Sequence, residues 1–116
     1  DILYGEINTP LTFVETILGI IPENMFSNPE LKWLDPACGC GNFMIILYFK
    51  LMKGLESSII NIEERRDHII KNMIYMIEIQ EKNADLLRRI FGTNANIICA
   101  DFLNYGTEYS YNITID

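Results

Sequence analysis

Two glycines flank a cysteine in Cys38-Gly39-Cys40-Gly41, just after Asp35-Pro36 and just before an apolar run from Asn42 to Lys53. A turn stripped of side chains lets a ligand touch bare backbone where a helix begins and its N–H groups are unpaired. A carboxylate, Glu78, stands near the C-terminal end of a second apolar run, Met73 to Ile79. An acid placed there can accept hydrogen bonds from both hydroxyls of a ribose. After a third apolar run, Asp101 and Phe102 put an acceptor next to an aromatic ring. This is chemistry for holding a ligand. No nucleophile motif accompanies the single histidine, His68, which reads as a surface or boundary residue rather than a catalytic base.

The elements that must position these residues follow from pattern. Leu31 to Leu34 reads as a buried strand closed by Asp35, and Pro36 stops its ladder because it has no N–H. Asn42 to Lys53 reads as a helix with Gly54 as its C′ residue. Upstream, Thr9 reads as an N-cap with Pro10 at the first helical position, and Leu11, Val14, Leu18 and Ile21 form one apolar face before Pro22 ends the helix. Pro22 to Glu30 is a connector. Asn61 to Asn72 reads as an inserted helix, with Ile62, Ile69 and Ile70 apolar and Glu63 through Asp67 a solvated face. Met73 to Ile79 suits a buried parallel strand. Glu81 to Phe91 is amphipathic, with Ala84, Leu87 and Ile90 on one face, Arg88 and Arg89 in the last turn and Gly92 following as C′. Asn96 to Ala100 is a third strand, Asn104 to Ser110 a polar loop, and Tyr111 to Asp116 the start of a fourth strand.

Composition bounds the reading. The chain has 116 residues, enough for one small domain, and 49% hydrophobic residues, which argues for a packed core and against disorder. No apolar run reaches the length of a membrane span, so no membrane partner is expected. Cys38, Cys40 and Cys99 have no metal spacing and read as free thiols in a reducing cytoplasm. The formal net charge is −7, and the basic pairs Arg65-Arg66 and Arg88-Arg89 each sit beside acids. Duplex DNA binding normally needs clustered Lys and Arg, so this chain alone is a poor DNA binder.

The segment Leu34-Asp35-Pro36-Ala37-Cys38-Gly39-Cys40-Gly41-Asn42-Phe43 resembles the cofactor loop of the amino-methylating DNA methyltransferases, which use S-adenosylmethionine to modify adenine N6 or cytosine N4. The resemblance extends over nearly the whole chain. Tyr4 to Pro10 is similar to the Thr-Pro motif of that family, in which Thr9 would touch the methionine end of the cofactor. Glu78 matches the ribose-binding acid, although Gln80 departs from the second acid often found there. Asp101 matches the acid that bonds the adenine amino group of the cofactor, and Phe102 the aromatic that lies against the ring. The resemblance therefore implies a cofactor site made of Thr9, Asp35, Pro36, Ala37, Cys38, Gly39, Gly41, Asn42, Phe43, Glu78, Asp101 and Phe102, with no metal. It implies a Rossmann-like α/β fold, a parallel sheet of order three-two-one-four flanked by helices, over residues 31–116, preceded by a helical segment over residues 1–30.

In that family the fourth strand leads into Asn-Pro-Pro-Tyr, which holds the flipped target base; the tetrapeptide does not occur here. The chain is thus expected to be the N-terminal cofactor half of a longer adenine-N6 DNA methyltransferase of a restriction–modification system. It would carry no catalytic residue of its own and would be inactive alone. DNA would be engaged through other parts of the parent protein, with a specificity or restriction subunit as a possible partner. The alternatives are a methyltransferase acting on protein glutamine or RNA, disfavoured by Cys38, Phe43 and Thr9-Pro10, and a non-catalytic module that binds S-adenosylmethionine.

Overall fold

The computed structural model of the protein describes residues 10–101. They form an α/β unit with the order α1 (Leu11–Ile20), β1 (Trp33–Asp35), α2 (Asn42–Gly54), α3 (Ile62–Asn72), β2 (Ile74–Glu78), α4 (Glu81–Phe91) and β3 (Asn96–Cys99), with a short 3₁₀ turn at Glu23–Met25. The three strands make one parallel sheet with β2 in the middle. Asp35 is in register with Met76, and Glu78 with Cys99. The order three-two-one agrees with expectation as far as the described residues go; the fourth strand, over Tyr111 to Asp116, lies outside them. The parallel pairing makes the C-terminal ends of β1 and β2 neighbours, which brings the glycine turn after β1 beside the acid that ends β2.

The core lies between the sheet and the helices. Met44, Leu47 and Leu51 of α2, Val14 and Leu18 of α1, Ile69 of α3, Leu87 of α4 and Ile74 and Met76 of β2 have no more than 1% of their surface exposed. Trp33 stacks on Phe26 with ring centroids 5.5 Å apart.

Several elements differ from the sequence expectation, each for a local reason. The first strand begins at Trp33, not Leu31, because the Leu31 N–H is taken by the Asn28 carbonyl in a turn that the Asn28 side chain also closes onto Glu30. The strand runs through Asp35 instead of stopping before it. The first helix starts at Leu11; Pro10 is extended (ψ 146°) and its carbonyl accepts the N–H groups of Phe13 and Val14, so proline occupies the cap position. Leu11, placed on the apolar face, is 51% exposed, whereas Val14 and Leu18 are buried. Gly54 is the last residue of α2 and not its C′ residue. Its reason is packing, since an added Cβ would land on the carbonyl oxygen of Phe26. In α4 the buried face is Asn83, Ala84, Leu87 and Phe91, while Ile90 is exposed.

The largest departure is Arg65. It was expected on the solvated face of the inserted helix, and Ile62 on the apolar one. Instead Ile62 is 64% exposed and Arg65 only 8%. The connector between α2 and α3 folds over the Arg65 guanidinium, which donates to the carbonyls of Met52 (3.1 Å), Ile59 (2.9 Å) and Ile60 (2.9 Å). The inserted helix begins at Ile62, not Asn61, because Asn61 is its cap and its side chain accepts the Glu64 N–H. His68 is a boundary residue, its Nε2 lying 2.8 Å from the Pro29 carbonyl oxygen.

Candidate functional site

The turn between β1 and α2 is shaped by two glycines in the left-handed region, Gly39 at φ 55° and Gly41 at φ 91°. L side chains rarely adopt these angles, which is why glycine stands there. Gly41 is also buried against α4, where a Cβ would meet Leu87 Cδ2 at 2.5 Å. The Gly41 N–H closes the turn onto the Cys38 carbonyl at 2.8 Å, and the Gly41 carbonyl then accepts from Ile45 as α2 begins. Because the cap residue is glycine, no side chain caps the first turn of α2.

Three contacts pin this turn to the sheet. Asp35 Oδ1 accepts the Ala37 N–H at 3.1 Å. Cys38 is buried, and both its N–H (3.3 Å) and its thiol (3.4 Å) donate to the Ile77 carbonyl. Glu78 Oε1 accepts the Gly39 N–H at 2.9 Å. The Cys38 thiol is pushed up to about 12 by burial and by the nearby acids Asp35 and Glu78, so it is a packed, neutral group and not a nucleophile. Burial also raises the carboxyl of Asp35 above the ordinary carboxylate value; the Ala37 bond opposes this and the charge of Glu78 adds to it.

A cleft of about 220 Å³ opens between the turn and α1. It is lined by Phe13 and Ile17 of α1, Leu34 and Asp35 of β1, Ala37, Cys38, Gly39 and Cys40 of the turn, and Asn42 and Phe43 of α2. Six residues singled out in the sequence, Asp35, Ala37, Cys38, Gly39, Asn42 and Phe43, therefore meet at one opening. Pro36 is exposed beside it, and Gly41 faces the core. Glu78 does not line the cleft. It is 4% exposed and reaches the turn from beneath, through the Gly39 amide. Asp101 follows β3, which among the described residues lies across β2 from β1, and it is not one of the residues that line the cleft. Thr9 and Phe102 lie outside the described residues.

Sequence reasoning missed Phe13 and Ile17. They are one turn apart on α1 but lie off the stripe of Val14 and Leu18 that packs the core, so core periodicity passed over them. It also missed Gln80 and Asn83, whose backbone N–H and side-chain amide both donate to Glu78 Oε2, at 3.0 and 3.2 Å. No pattern in the sequence signals a bond between a strand end and a helix that starts three residues later. Among the described residues, no group of three or more His, Cys, Asp or Glu side chains is gathered as a metal site, and no helix is long and apolar enough to cross a membrane.

An uncharacterized adenine-specific methylase of Mycoplasma pneumoniae is 32% identical over 87 residues, covering 72% of this chain and 21% of that protein. A solved modification subunit of a provisionally assigned type I restriction enzyme from Vibrio vulnificus YJ016 superimposes with a TM-score of 0.53 at 21% identity, over 84% of this chain and 19% of that one, and so shares the fold. The chain thus spans about a fifth of the length of each. The model of the MmeI DNA-methyltransferase domain matches residues 24–91, from the connector before β1 through the whole of α4. With more than half of its length spanned by the match, including the glycine turn and Glu78, the chain belongs to the MmeI DNA-methyltransferase domain family.

Proposed function

We propose that this chain forms the S-adenosylmethionine-binding part of a DNA methyltransferase acting on adenine N6, in a restriction–modification context. The observation that carries this is the joining of the glycine turn to Glu78: a loop without Cβ atoms at Gly39 and Gly41, held by a buried carboxylate at the C-terminal ends of adjacent parallel strands. Dinucleotide and nucleoside ligands bind at that place in open α/β sheets.

The cleft's residues suit the cofactor. Asp35 offers a carboxylate to its amino group, and the exposed face of Phe13, with Phe43, offers π surface to its sulfonium. The open first turn of α2, approached past Gly39 where no Cβ stands in the way, suits its carboxylate. Glu78 would hold the ribose hydroxyls, and Asp101 with Phe102 the adenine, as the family resemblance implies. When bound, the cofactor supplies an electrophilic methyl group. The protein's contribution is to bind, orient and screen: the turn fixes position, α1 covers one side, and Asp35 balances positive charge. A cation in the cleft favours ionised Asp35, whose carboxyl is raised when the cleft holds none. Affinity therefore rises with pH through that carboxyl's titration and falls on acidification. DNA, and any further subunit, would be engaged by other parts of the parent protein, given the net charge of −7. The chain alone is accordingly expected not to transfer methyl groups to DNA.

Calorimetry of S-adenosylhomocysteine binding to the wild type and Glu78→Ala tests the reading. The expected result is weak binding by the wild type and a loss of roughly tenfold or more in the variant, the scale of a hydrogen bond to a charged group. Equal affinity for both proteins would remove Glu78 from the site.

A further inference from the structure

Glu78 is held by more than the glycine turn. Oε1 takes the Gly39 N–H at 2.9 Å, while Oε2 takes the Gln80 N–H at 3.0 Å and the Asn83 side-chain N–H at 3.2 Å. Glu78, Gln80 and Asn83 are 4%, 5% and 7% exposed. Two donors converging on Oε2 fix the rotation of the carboxylate. One is a backbone N–H, which any residue but proline supplies; the other comes from the Asn83 side chain. A carboxylate has about four lone-pair sites. With three donors in place, the remaining one is on Oε1, the oxygen turned toward the glycine turn.

We propose that Asn83 is the positioning residue for Glu78, holding Oε2 so that Oε1 faces both the Gly39 amide and the hydroxyls of a bound ribose. The inference rests on reading the turn as an S-adenosylmethionine site, and extends that reading to a residue of α4 that does not line the cleft. Without the Asn83 amide, the carboxylate is free to rotate toward other donors, and both the loop contact and the ribose contact loosen together. An aspartate at 83 would face Oε2 with a second carboxylate, and such a pair holds one proton in common as pH falls.

The test is calorimetry with S-adenosylhomocysteine and with its 2′-deoxyribose analogue on the full chain, as wild type, Asn83→Leu and Asn83→Asp, from neutral to mildly acidic pH, with hydrogen exchange of the Gly39 amide. Asn83→Leu is expected to weaken S-adenosylhomocysteine roughly tenfold. It should weaken the 2′-deoxy analogue distinctly less and speed exchange at Gly39. Asn83→Asp is expected to bind poorly at neutral pH and to regain affinity on acidification, when a shared proton restores the bond to Oε2; the wild type gains nothing on acidification. The other titratable groups around the carboxylate are Asp35 on β1, Cys38 in the turn and Cys99 on β3, with Glu81, Lys82 and Asp85 on α4 itself. They are common to all three proteins, so the wild-type profile serves as their baseline. An Asn83→Leu protein with wild-type affinity and wild-type preference for the ribose would overturn the inference. If that variant does not fold, an Asn83→Asp profile parallel to the wild type's would overturn it. A wild type that does not bind S-adenosylhomocysteine would overturn the cofactor reading and this inference together, whereas a binding wild type with indifferent Asn83 variants would overturn this inference alone.

Discussion

Two buried charges hold the two ends of α2, and they do it with opposite signs. At the N-terminal end, Glu78 accepts three donors: the amides of Gly39 and Gln80 and the side chain of Asn83. At the C-terminal end, Arg65 donates to three carbonyls, those of Met52, Ile59 and Ile60. Both side chains are more than nine-tenths buried. The difference lies in what each one holds. Arg65 closes a connector over itself, and all three of its acceptors belong to the connector or to α2. Glu78 holds a turn whose other side is a cleft. A buried charge with every partner internal is a structural rivet. A buried charge whose partner residue also lines a cavity is placed to feel a ligand.

That contrast can be broken first at the rivet. Arg65→Ala leaves three carbonyls without their donor, and each lost bond to a charged group is worth about 1.5–3 kcal/mol, so a loss on the order of 4 kcal/mol is expected once water has replaced part of it. Urea unfolding of both proteins measures it. A change below about 1 kcal/mol, the range of ordinary surface substitutions and weak contacts, would show that the connector does not depend on Arg65.

The two glycines at the ends of α2 sharpen the comparison. Gly54→Ala drives a Cβ into the backbone carbonyl of Phe26, which cannot move without shifting the connector, and roughly 2–3 kcal/mol is expected. Gly41→Ala meets only the end of the Leu87 side chain, but at φ 91° it also suffers backbone strain, and roughly 1–2 kcal/mol is expected. Thermal unfolding should therefore rank Gly54→Ala below Gly41→Ala in stability, while only Gly41→Ala lowers affinity for S-adenosylhomocysteine. The reverse assignment of the two effects would contradict the account.

Cys38 supplies an effect confined to alkaline pH. Its thiol is raised from an ordinary value of 9.0 to about 12 by burial and the neighbouring carboxylates. A folded-state value above the unfolded one stabilises the fold fully below pH 9 and loses that contribution as pH climbs toward 12. Stability should thus fall over that alkaline window, and less steeply in Cys38→Ala. Thiol-reactive dye should label Cys40 before Cys38 in the folded protein, because Cys38 is 7% exposed and bonded to the Ile77 carbonyl.

Much of this architecture was legible in the chain. Glu81 to Phe91 announced α4 to the residue, because its amphipathic period, its terminal arginines and the glycine after it all point the same way. Met73 to Ile79 pointed to the central strand, Ile74–Glu78, because a parallel strand covered on both faces reads as a near-continuous apolar run. The glycine turn was legible as well, since left-handed backbone at Gly39 and Gly41 leaves few other residue choices. What was not legible depends on long-range approach. Arg65 sits in a run of charges with Glu63, Glu64, Arg66 and Asp67, and helical spacing alone does not reveal a connector that folds back over one of them. Gly54 ends a helix in sequence, yet its cause is the Phe26 carbonyl 28 positions earlier in the chain (54 − 26). The Asn83 amide on Glu78 is hidden for the same reason: a helix-start asparagine is ordinary, and only the placement of β2 gives it a carboxylate to hold.

The central claim, that the turn held by Glu78 is the ligand side of the molecule, is tested most directly by following backbone amide resonances during titration with S-adenosylhomocysteine. The account predicts that the largest shifts fall on Gly39, Cys40, Gly41 and Asn42, with the Gln80 amide moving as Glu78 adjusts, while the Arg65 connector from Glu56 to Asn61 stays unchanged. Shifts centred on that connector, or no shifts at the Gly39–Asn42 turn at saturating ligand, would contradict it.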